Sequence, residues 1–161
     1  MGVANFLDRV LAVPRREVRV RGTDLAALVR GALLRPDDAD RLVRTFENEF
    51  AAYLGTSHAV AVASGRLGLQ LILEELEEDG RDEVILPAYT DESVPGAIVA
   101  AGLTPVFVDV GFPDGNIAAA RVQEKIGSST LAVVATHLFG RPCDLDACRE
   151  LCTAHGAHLI E

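Results

Sequence analysis

The chain has 161 residues, of which 49% are hydrophobic, so it is long enough for one domain with a substantial core. Its 15 basic and 24 acidic residues give a formal net charge of −9, which argues against nucleic acid as a partner because phosphates need a basic surface. No signal peptide is visible, and no apolar run approaches the roughly 18 residues of a transmembrane helix. A cytoplasmic protein is therefore expected.

The first 35 residues are basic, with seven arginines against three acidic residues. We predict a helix over 5–11, a basic arm over 14–22 (PRREVRVRG) and a second helix over 24–34, which together form an N-terminal segment over 1–35. The arm could contact an anionic membrane or an acidic partner. A solvated or subunit-packing arm that balances the acidic remainder is favoured.

A longer amphipathic helix follows Pro36. Asp37 and Asp38 stand where an N-cap and first turn favour acids. The helix should end at Gly55, a typical C′ residue. Its apolar side carries Leu42, Phe46, Phe50 and Leu54.

Beyond Gly55, apolar segments predicted as strands alternate with segments predicted as helices. The strands are expected at 58–63, 83–87, 105–110, 131–138 and 157–160. The helices between them are expected at 66–79, 92–101, 117–126 and 144–155. Five apolar strands separated by helices predict an α/β fold with a mainly parallel sheet and helices on both faces.

The turn between the strand over 58–63 and the next helix passes through Ser64-Gly65-Arg66. Such a turn aims the first free N–H groups of a helix at one point, which attracts an anion such as phosphate. Without other evidence, most turns of this kind only pack a strand against a helix.

The three cysteines are an odd number in a chain without an export signal, so reduced thiols are expected. Cys148, Cys152 and His155 share one face of the predicted helix over 144–155, which formally permits a metal site. Leu145 and Leu151 lie on or beside the same face. A buried core stripe is therefore favoured over a metal centre.

Six segments in a fixed order resemble the DegT/DnrJ/EryC1/StrS family of sugar aminotransferases. They are FENEFAAYLG, HAVAVASGRLGL, DEVILPAYT, AGLTPVFVDV, THLFGRPCDLDAC and HGAHLIE, spanning 46–161. The resemblance implies that 36–161 is the N-terminal part of the large domain of a fold-type I enzyme that uses pyridoxal 5′-phosphate. It further implies a keto-sugar nucleotide or similar carbonyl as substrate, an amino-acid donor such as glutamate, and a homodimer when the protein is full length.

The resemblance also implies site residues. The family's phosphate-binding Ser-Gly-Thr-Ala corresponds to Ser64, Gly65, Arg66 and Leu67. Asp91 stands where the family has an aromatic residue that stacks on the pyridine ring; a helix cap is the favoured interpretation. His137 begins a segment similar to the family's His-Leu-Tyr-Gly and is a candidate substrate-binding residue, with a structural role as the alternative.

The catalytic residues of such an enzyme are not found in this sequence. Transamination requires a Schiff-base lysine, and the chain has one lysine, Lys125. Because Lys125 is near the end of a predicted helix, it should lie away from the carboxyl ends of the strands. The family's pyridine-binding Asp follows directly after the Glu that Glu161 resembles. The sequence therefore predicts an N-terminal fragment, inactive by itself, from a longer chain or a truncated gene product.

Two other functions remain open at this point. A non-catalytic module could pair with an intact partner through the basic arm and the last strand. A dinucleotide-binding domain would need a G-x-G-x-x-G turn, and SGRLG lacks its first glycine, so this class ranks last.

Overall fold

The structure is a computed structural model that describes residues 22–33 and 36–161. Its contacts divide the chain into two compact units, the first ending at Ala61 and the second spanning Val62–Glu161. The helix predicted over 5–11 and nearly all of the basic arm lie outside the described residues. No helix within the described ranges is both long and apolar enough to cross a bilayer.

The described part of the first unit contains two helices, α1 (Gly22–Leu33) and α2 (Pro36–Leu54). Helix α2 begins at Pro36, where the fixed φ of proline suits a first helical turn. It ends as predicted at Gly55, whose φ of +71° is the left-handed conformation of a C′ residue. On its apolar side Phe46 and Phe50 stack with 5.6 Å between ring centroids.

The strand predicted over 58–63 does not form, so this prediction was wrong. The N–H of Ala61 donates to Glu47 Oε1 at 2.8 Å, and the segment pairs with none of the four described strands. Val60 is 78% exposed and Val62 is 41% exposed. Alternating Val and Ala favour extended backbone, but a strand exists only where a neighbouring strand accepts and donates its hydrogen bonds.

The second unit contains one parallel sheet. Its four strands are β1 (Glu83–Pro87), β2 (Thr104–Val108), β3 (Thr130–Val134) and β4 (His158–Ile160). The spatial order is β2-β1-β3-β4 and every pairing is parallel. Ile85 in the central strand β1 pairs with Val106 on one side and Val133 on the other. The predicted parallel α/β sheet is thus confirmed, with four strands instead of five.

One α-helix precedes β1, and three α-helices and one 3₁₀ turn lie in the connections between the strands. They are α3 (Gly65–Glu75), α4 (Ser93–Ala100), α5 (Ala119–Gln123), the 3₁₀ turn (Leu138–Gly140) and α6 (Leu145–His155). The strand expected over 131–138 stops at Val134. Helix α5 is half as long as expected, because Ile117 instead forms an antiparallel bridge with Val110.

Both faces of the sheet are covered by helices. Leu73 of α3 and Ile98 of α4 pack with Val84 and Leu86 on one face. On the opposite face, residues of α5 and α6 pack with Ile85 and Val133. Because successive residues of a strand point to opposite faces and both are buried, β1 appears in the sequence as a continuous apolar run.

The three cysteines belong to the α5/α6 side of the core. Burial raises the pKa of each thiol, that of Cys152 to about 11, so the thiols stay protonated near neutral pH. His155 on the same helix donates through Nδ1 to the carbonyl of Leu151 at 2.9 Å. The interpretation of Cys148 and Cys152 as a buried core stripe is confirmed.

Arg81, directly before the sheet, forms hydrogen bonds with the start of β3 and the end of α6. Its guanidinium donates to the carbonyl oxygens of Thr130 at 2.6 Å and His155 at 3.1 Å, and its Nε lies 3.4 Å from Glu78 Oε1. One side chain therefore contacts both the first residue of β3 and the last residue of α6.

We expect Arg81→Met to lower the free energy of unfolding by about 2–4 kcal/mol, since the part-buried bond to Thr130 should contribute about 1.5–3 kcal/mol and the exposed bond to His155 less. The measurement is urea denaturation of both proteins. Arg149→Met is the matched control, because Arg149 pairs with Asp146 in an exposed i,i+3 bridge and should change stability by under about 1 kcal/mol. Equal effects from the two substitutions would contradict a clamping role for Arg81.

Candidate functional site

The carboxyl ends of the parallel strands form one edge of the sheet. Tyr89 and Asp91 follow β1, His137 follows β3, and Glu161 follows β4. Helix α4 presents its N-terminus toward this edge, because a helix that connects parallel strands runs antiparallel to them. The C-terminal ends of α3 and α4 line one cavity with Asp82, directly before β1, so α3 also points its N-terminus toward the carboxyl edge. Ligands of open α/β sheets bind at this edge.

The N-terminus of α3 has two backbone donors without acceptors. Ser64 is the N-cap, and its Oγ accepts the N–H of Leu67 at 3.2 Å, while its carbonyl accepts from Gly68 at 3.0 Å. Within the described residues, the N–H groups of Gly65 and Arg66 have no acceptor. Leu67 therefore brings no free N–H group to the predicted phosphate site, whereas Gly65 and Arg66 each bring one.

The surroundings of these donors are open and positively charged. A Cβ added at Gly65 would meet no atom within 4 Å. The Arg66 side chain is exposed and forms no ion pair with any residue in the described ranges. Two helix N–H groups and a guanidinium are the groups that bind phosphate in proteins, so the residues present fit a phosphate ester here.

Asp91 stabilises the start of α4. Its Oδ1 accepts the N–H of Ser93 at 2.9 Å, and its carbonyl accepts from Val94 at 3.0 Å. The N-cap position itself belongs to Glu92, whose side chain makes no capping bond. Asp91 therefore stabilises the start of α4 as expected, but from the position before the N-cap. A carboxylate in this role offers no ring for stacking.

His137 connects the ends of β3 and β4. Its Nδ1 accepts the N–H of Cys143 at 2.9 Å, and its Nε2 lies 2.9 Å from Glu161 Oε1. Because Nδ1 is an acceptor, the ring proton is on Nε2, which donates to the carboxylate. This pair places a histidine and a carboxylate together at the carboxyl edge.

Asn116 was not singled out by its sequence, and it anchors the loop after β3. It is 2% exposed. Its amide nitrogen donates to the carbonyls of Arg141 at 3.0 Å and Pro142 at 3.1 Å, and its Oδ1 accepts from the N–H of Leu138 at 3.0 Å. In the sequence Pro-Asp-Gly-Asn this residue indicates only a turn. Its partners are more than twenty positions away, so local pattern could not reveal them.

The anchored loop holds Phe139 in an unusual conformation. Its φ of 53° and ψ of 28° lie in the left-handed region, which costs a bulky residue about 1–3 kcal/mol. Its ring is 83% exposed and meets the Tyr89 ring edge-on, with 6.4 Å between centroids and 62° between planes. Tyr89 is itself 56% exposed.

Lys125 lies shortly before the start of β3. The Gly127 N–H donates to Thr130 Oγ1 at 3.0 Å, and the Thr130 N–H donates to the Gly127 carbonyl at 3.2 Å, so the segment after Lys125 turns directly into the first residue of β3. This agrees with the expectation that the backbone of Lys125 lies away from the carboxyl ends of the strands. Lys125 also contributes to the lining of a cavity of about 210 Å³ with Ala88, Val108 and Asp109.

Sequence comparison gives one family match. The profile of the DegT/DnrJ/EryC1/StrS aminotransferase family matches residues 38–161. That range includes every site residue described above.

Two curated relatives are similar over most of this chain. The dTDP-3-amino-3,4,6-trideoxy-alpha-D-glucose transaminase of Streptomyces venezuelae is 38% identical over 154 residues, which are 92% of this chain and 41% of that protein. The GDP-perosamine synthase of Vibrio cholerae is 36% identical over 121 residues, 75% of this chain and 33% of that protein. The chain thus spans about a third to two fifths of the length of these relatives.

Solved structures share the fold. DesI, determined in the presence of its TDP-sugar product, superposes with a TM-score of 0.72 at 36% identity, covering 88% of this chain and 36% of DesI. NtdA from Bacillus subtilis, with bound cofactor PMP, superposes with a TM-score of 0.70 at 26% identity, covering 73% of this chain and 27% of NtdA.

Proposed function

The chain belongs to the DegT/DnrJ/EryC1/StrS aminotransferase family, and we propose that residues 36–161 form the N-terminal part of the large domain of a pyridoxal-phosphate-dependent sugar aminotransferase. The observation that carries this proposal is the N-terminus of α3. Within the part of the chain that the structure describes, the N–H groups of Gly65 and Arg66 have no acceptor, and Arg66 in the same first turn is exposed and has no ion pair. A cofactor phosphate could accept hydrogen bonds from the two N–H groups and from the guanidinium.

Each residue of the proposed site has a defined task. The N–H groups of Gly65 and Arg66 donate to the phosphate, and the Arg66 guanidinium neutralises part of its charge. The hydroxyl of Ser64 accepts from Leu67 and keeps its own hydrogen for the same phosphate. When bound, the cofactor supplies an electron sink for amino-group transfer, which no side chain provides.

The substrate is proposed to contact polar side chains at the carboxyl edge of the sheet. His137 holds the Glu161 carboxylate by the Nε2–H bond of 2.9 Å, so the two side chains act as one unit at the end of the sheet. We assign this pair to substrate contact. Asp91 keeps α4 in place beside it through its bond to Ser93.

We propose a keto-sugar nucleotide or a similar carbonyl as the acceptor substrate and an amino acid as the donor. The support is that the two relatives named above are a GDP-perosamine synthase and a dTDP-amino-sugar transaminase.

A homodimer is proposed for the full-length enzyme. The Schiff-base lysine is proposed to lie outside these 161 residues, so that residues 1–161 alone do not transaminate.

The test is calorimetric titration of the protein in its full gene-encoded length with pyridoxamine 5′-phosphate. We expect one site per chain, competition by inorganic phosphate, and about 100-fold weaker binding of pyridoxamine, which lacks the phosphate and its charge-assisted hydrogen bonds. Amino-sugar formation from a dTDP- or GDP-linked keto-sugar, followed by mass spectrometry, tests the activity. A protein that binds neither compound would refute the proposal.

A further inference from the structure

His137 is held in place by the segment that follows it, which we call the β3–α6 loop (138–143). The ring of His137 accepts the N–H of Cys143 at Nδ1, with 2.9 Å between the two nitrogens. The thiol of Cys143 also donates to the carbonyl of Thr136 at 2.8 Å. Cys143 therefore contacts both the ring of His137 and the peptide group directly before it.

The side chain of Asn116 joins the two ends of the β3–α6 loop. Its Oδ1 accepts the N–H of Leu138, the residue directly after His137, at 3.0 Å. Its Nδ2 donates to the carbonyl of Pro142, the residue directly before Cys143, at 3.1 Å. One amide group thus holds a neighbour of each residue in the bond between His137 and Cys143.

Asn116 is itself fixed by its own segment. It is 2% exposed, its carbonyl accepts the N–H of Gly111 at 2.8 Å, and its N–H donates to Asp114 Oδ1 at 3.3 Å. A buried residue bonded through both its backbone and its side chain cannot shift without leaving several polar groups unpaired, which is costly. The position of the β3–α6 loop is therefore imposed from the segment between β2 and α5.

The bond from Cys143 decides which nitrogen of His137 carries the proton. A neutral imidazole has one N–H group and one acceptor nitrogen, and a backbone N–H directed at Nδ1 requires that nitrogen to be the acceptor. The proton is then on Nε2, which lies 2.9 Å from Glu161 Oε1. When Nδ1 is released, the proton can move to that nitrogen, and Nε2 can then no longer donate to the carboxylate. A loop that moves away from His137 therefore weakens the bond to Glu161 as well.

We propose that Asn116 is a positioning residue for the pair of His137 and Glu161. By joining the ends of the β3–α6 loop, it keeps the N–H of Cys143 on Nδ1 and the proton on Nε2. Asn116 forms no hydrogen bond with either member of the pair within the described part of the chain, so its influence passes through the loop. Within the proposed function, on which this inference rests, the substrate meets a pair that is already arranged and does not have to order it on binding.

The experiment observes the full-length protein, labelled with ¹⁵N, by NMR at about pH 8, at the upper end of the range in which histidine changes charge. The ring nitrogen shifts report which nitrogen carries the hydrogen, and His137 is the signal missing from His137→Gln. In the unmodified protein we expect the Nε2–H form and a scalar coupling across the bond from the Cys143 N–H to Nδ1. In Asn116→Ala, the ratio of the Nε2–H form to the Nδ1–H form should fall by about 2- to 10-fold, as for the loss of one hydrogen bond.

Three further variants separate positioning from general stability. Arg81→Met is the matched control, because it is expected to lose about as much stability as Asn116→Ala while acting at the opposite end of β3, and it should leave the ratio unchanged. Cys143→Ala removes the thiol but keeps the N–H, so it should keep the Nε2–H form. Asn116→Asp retains the acceptor for Leu138 and loses both donors, so its ratio should resemble that of alanine.

The unmodified protein alone can overturn the inference, either by carrying the proton on Nδ1 or by lacking the coupling to Cys143. An unchanged ratio in Asn116→Ala, or an equal fall in Arg81→Met, also overturns it.

The consequence for binding is measured as the KM for a dTDP- or GDP-linked keto-sugar. It should rise by about 2- to 10-fold in Asn116→Ala, while the affinity for pyridoxamine 5′-phosphate stays within about twofold. A changed ratio with an unchanged KM overturns the positioning role. A protein that does not bind pyridoxamine 5′-phosphate refutes the proposed function, whereas a ratio that still responds to Asn116→Ala supports the positioning of the pair, because the NMR measurement needs no ligand.

Discussion

Replacing Arg66 with glutamate is expected to weaken pyridoxamine 5′-phosphate binding by about 10- to 150-fold, the equivalent of one lost hydrogen bond between charged groups. The substitution removes the unpaired guanidinium at the N-terminus of α3 and puts a carboxylate beside the phosphate. It should not weaken the helix, because an acidic side chain in a first turn interacts favourably with the helix dipole. The measurement is a calorimetric titration at fixed ionic strength.

Arg149→Glu changes the net charge by the same amount at an exposed position of α6 and serves as the control. It should leave the affinity within about twofold, since charges beyond a Debye length of roughly 8–10 Å are largely screened. Arg66→Lys should give an intermediate affinity, because an ammonium keeps the charge without the planar fork. If Arg66→Glu binds as tightly as the unmodified protein, the phosphate does not lie at this helix end.

Asn116→Ala should lower the free energy of unfolding by about 2–4 kcal/mol. Alanine removes three hydrogen bonds and leaves the Leu138 N–H and two carbonyls without their partner, each at a cost of about 1 kcal/mol or more. Urea denaturation monitored by circular dichroism gives the value.

Two further variants make the Asn116 prediction specific. Asn116→Asp retains an acceptor for Leu138 but turns a carboxylate toward the carbonyls of Arg141 and Pro142, so it should be no more stable than alanine at neutral pH. Thr153→Ala removes an exposed bond to the Arg149 carbonyl and should change stability by under about 0.5 kcal/mol. A loss below that limit for Asn116→Ala would show that Asn116 does not anchor the loop.

The parallel sheet was predictable because its evidence is local. Segments such as Glu83–Pro87 are short apolar runs flanked by helices, and burial on both faces produces that pattern in any parallel sheet. Helix ends were predictable for a similar reason: Gly55 and Gly156 adopt positive φ and stop α2 and α6 where the sequence placed the breaks. The strand over 58–63 failed because pairing is a property of neighbours, which local propensity does not specify.

The candidate site was predictable only in part. The bond of Ser64 at the start of α3 and that of Asp91 at the start of α4 span only two or three positions, so local sequence was enough to predict both. The bond between His137 and Glu161 joins residues 24 positions apart, and nothing in the local pattern connects them.

The sequence by itself determined the class of fold, the helix N-terminus at Ser64–Arg66 and the family to which these residues belong, because hydrophobic periodicity, caps and glycines act over a few residues. Only the tertiary structure decided that Leu67 has no free N–H group, that His137 bonds to Glu161, and that Tyr89 and Phe139 meet. These facts depend on how far each helix runs and which strands become neighbours. Such outcomes arise from packing of the whole second unit and not from any one segment.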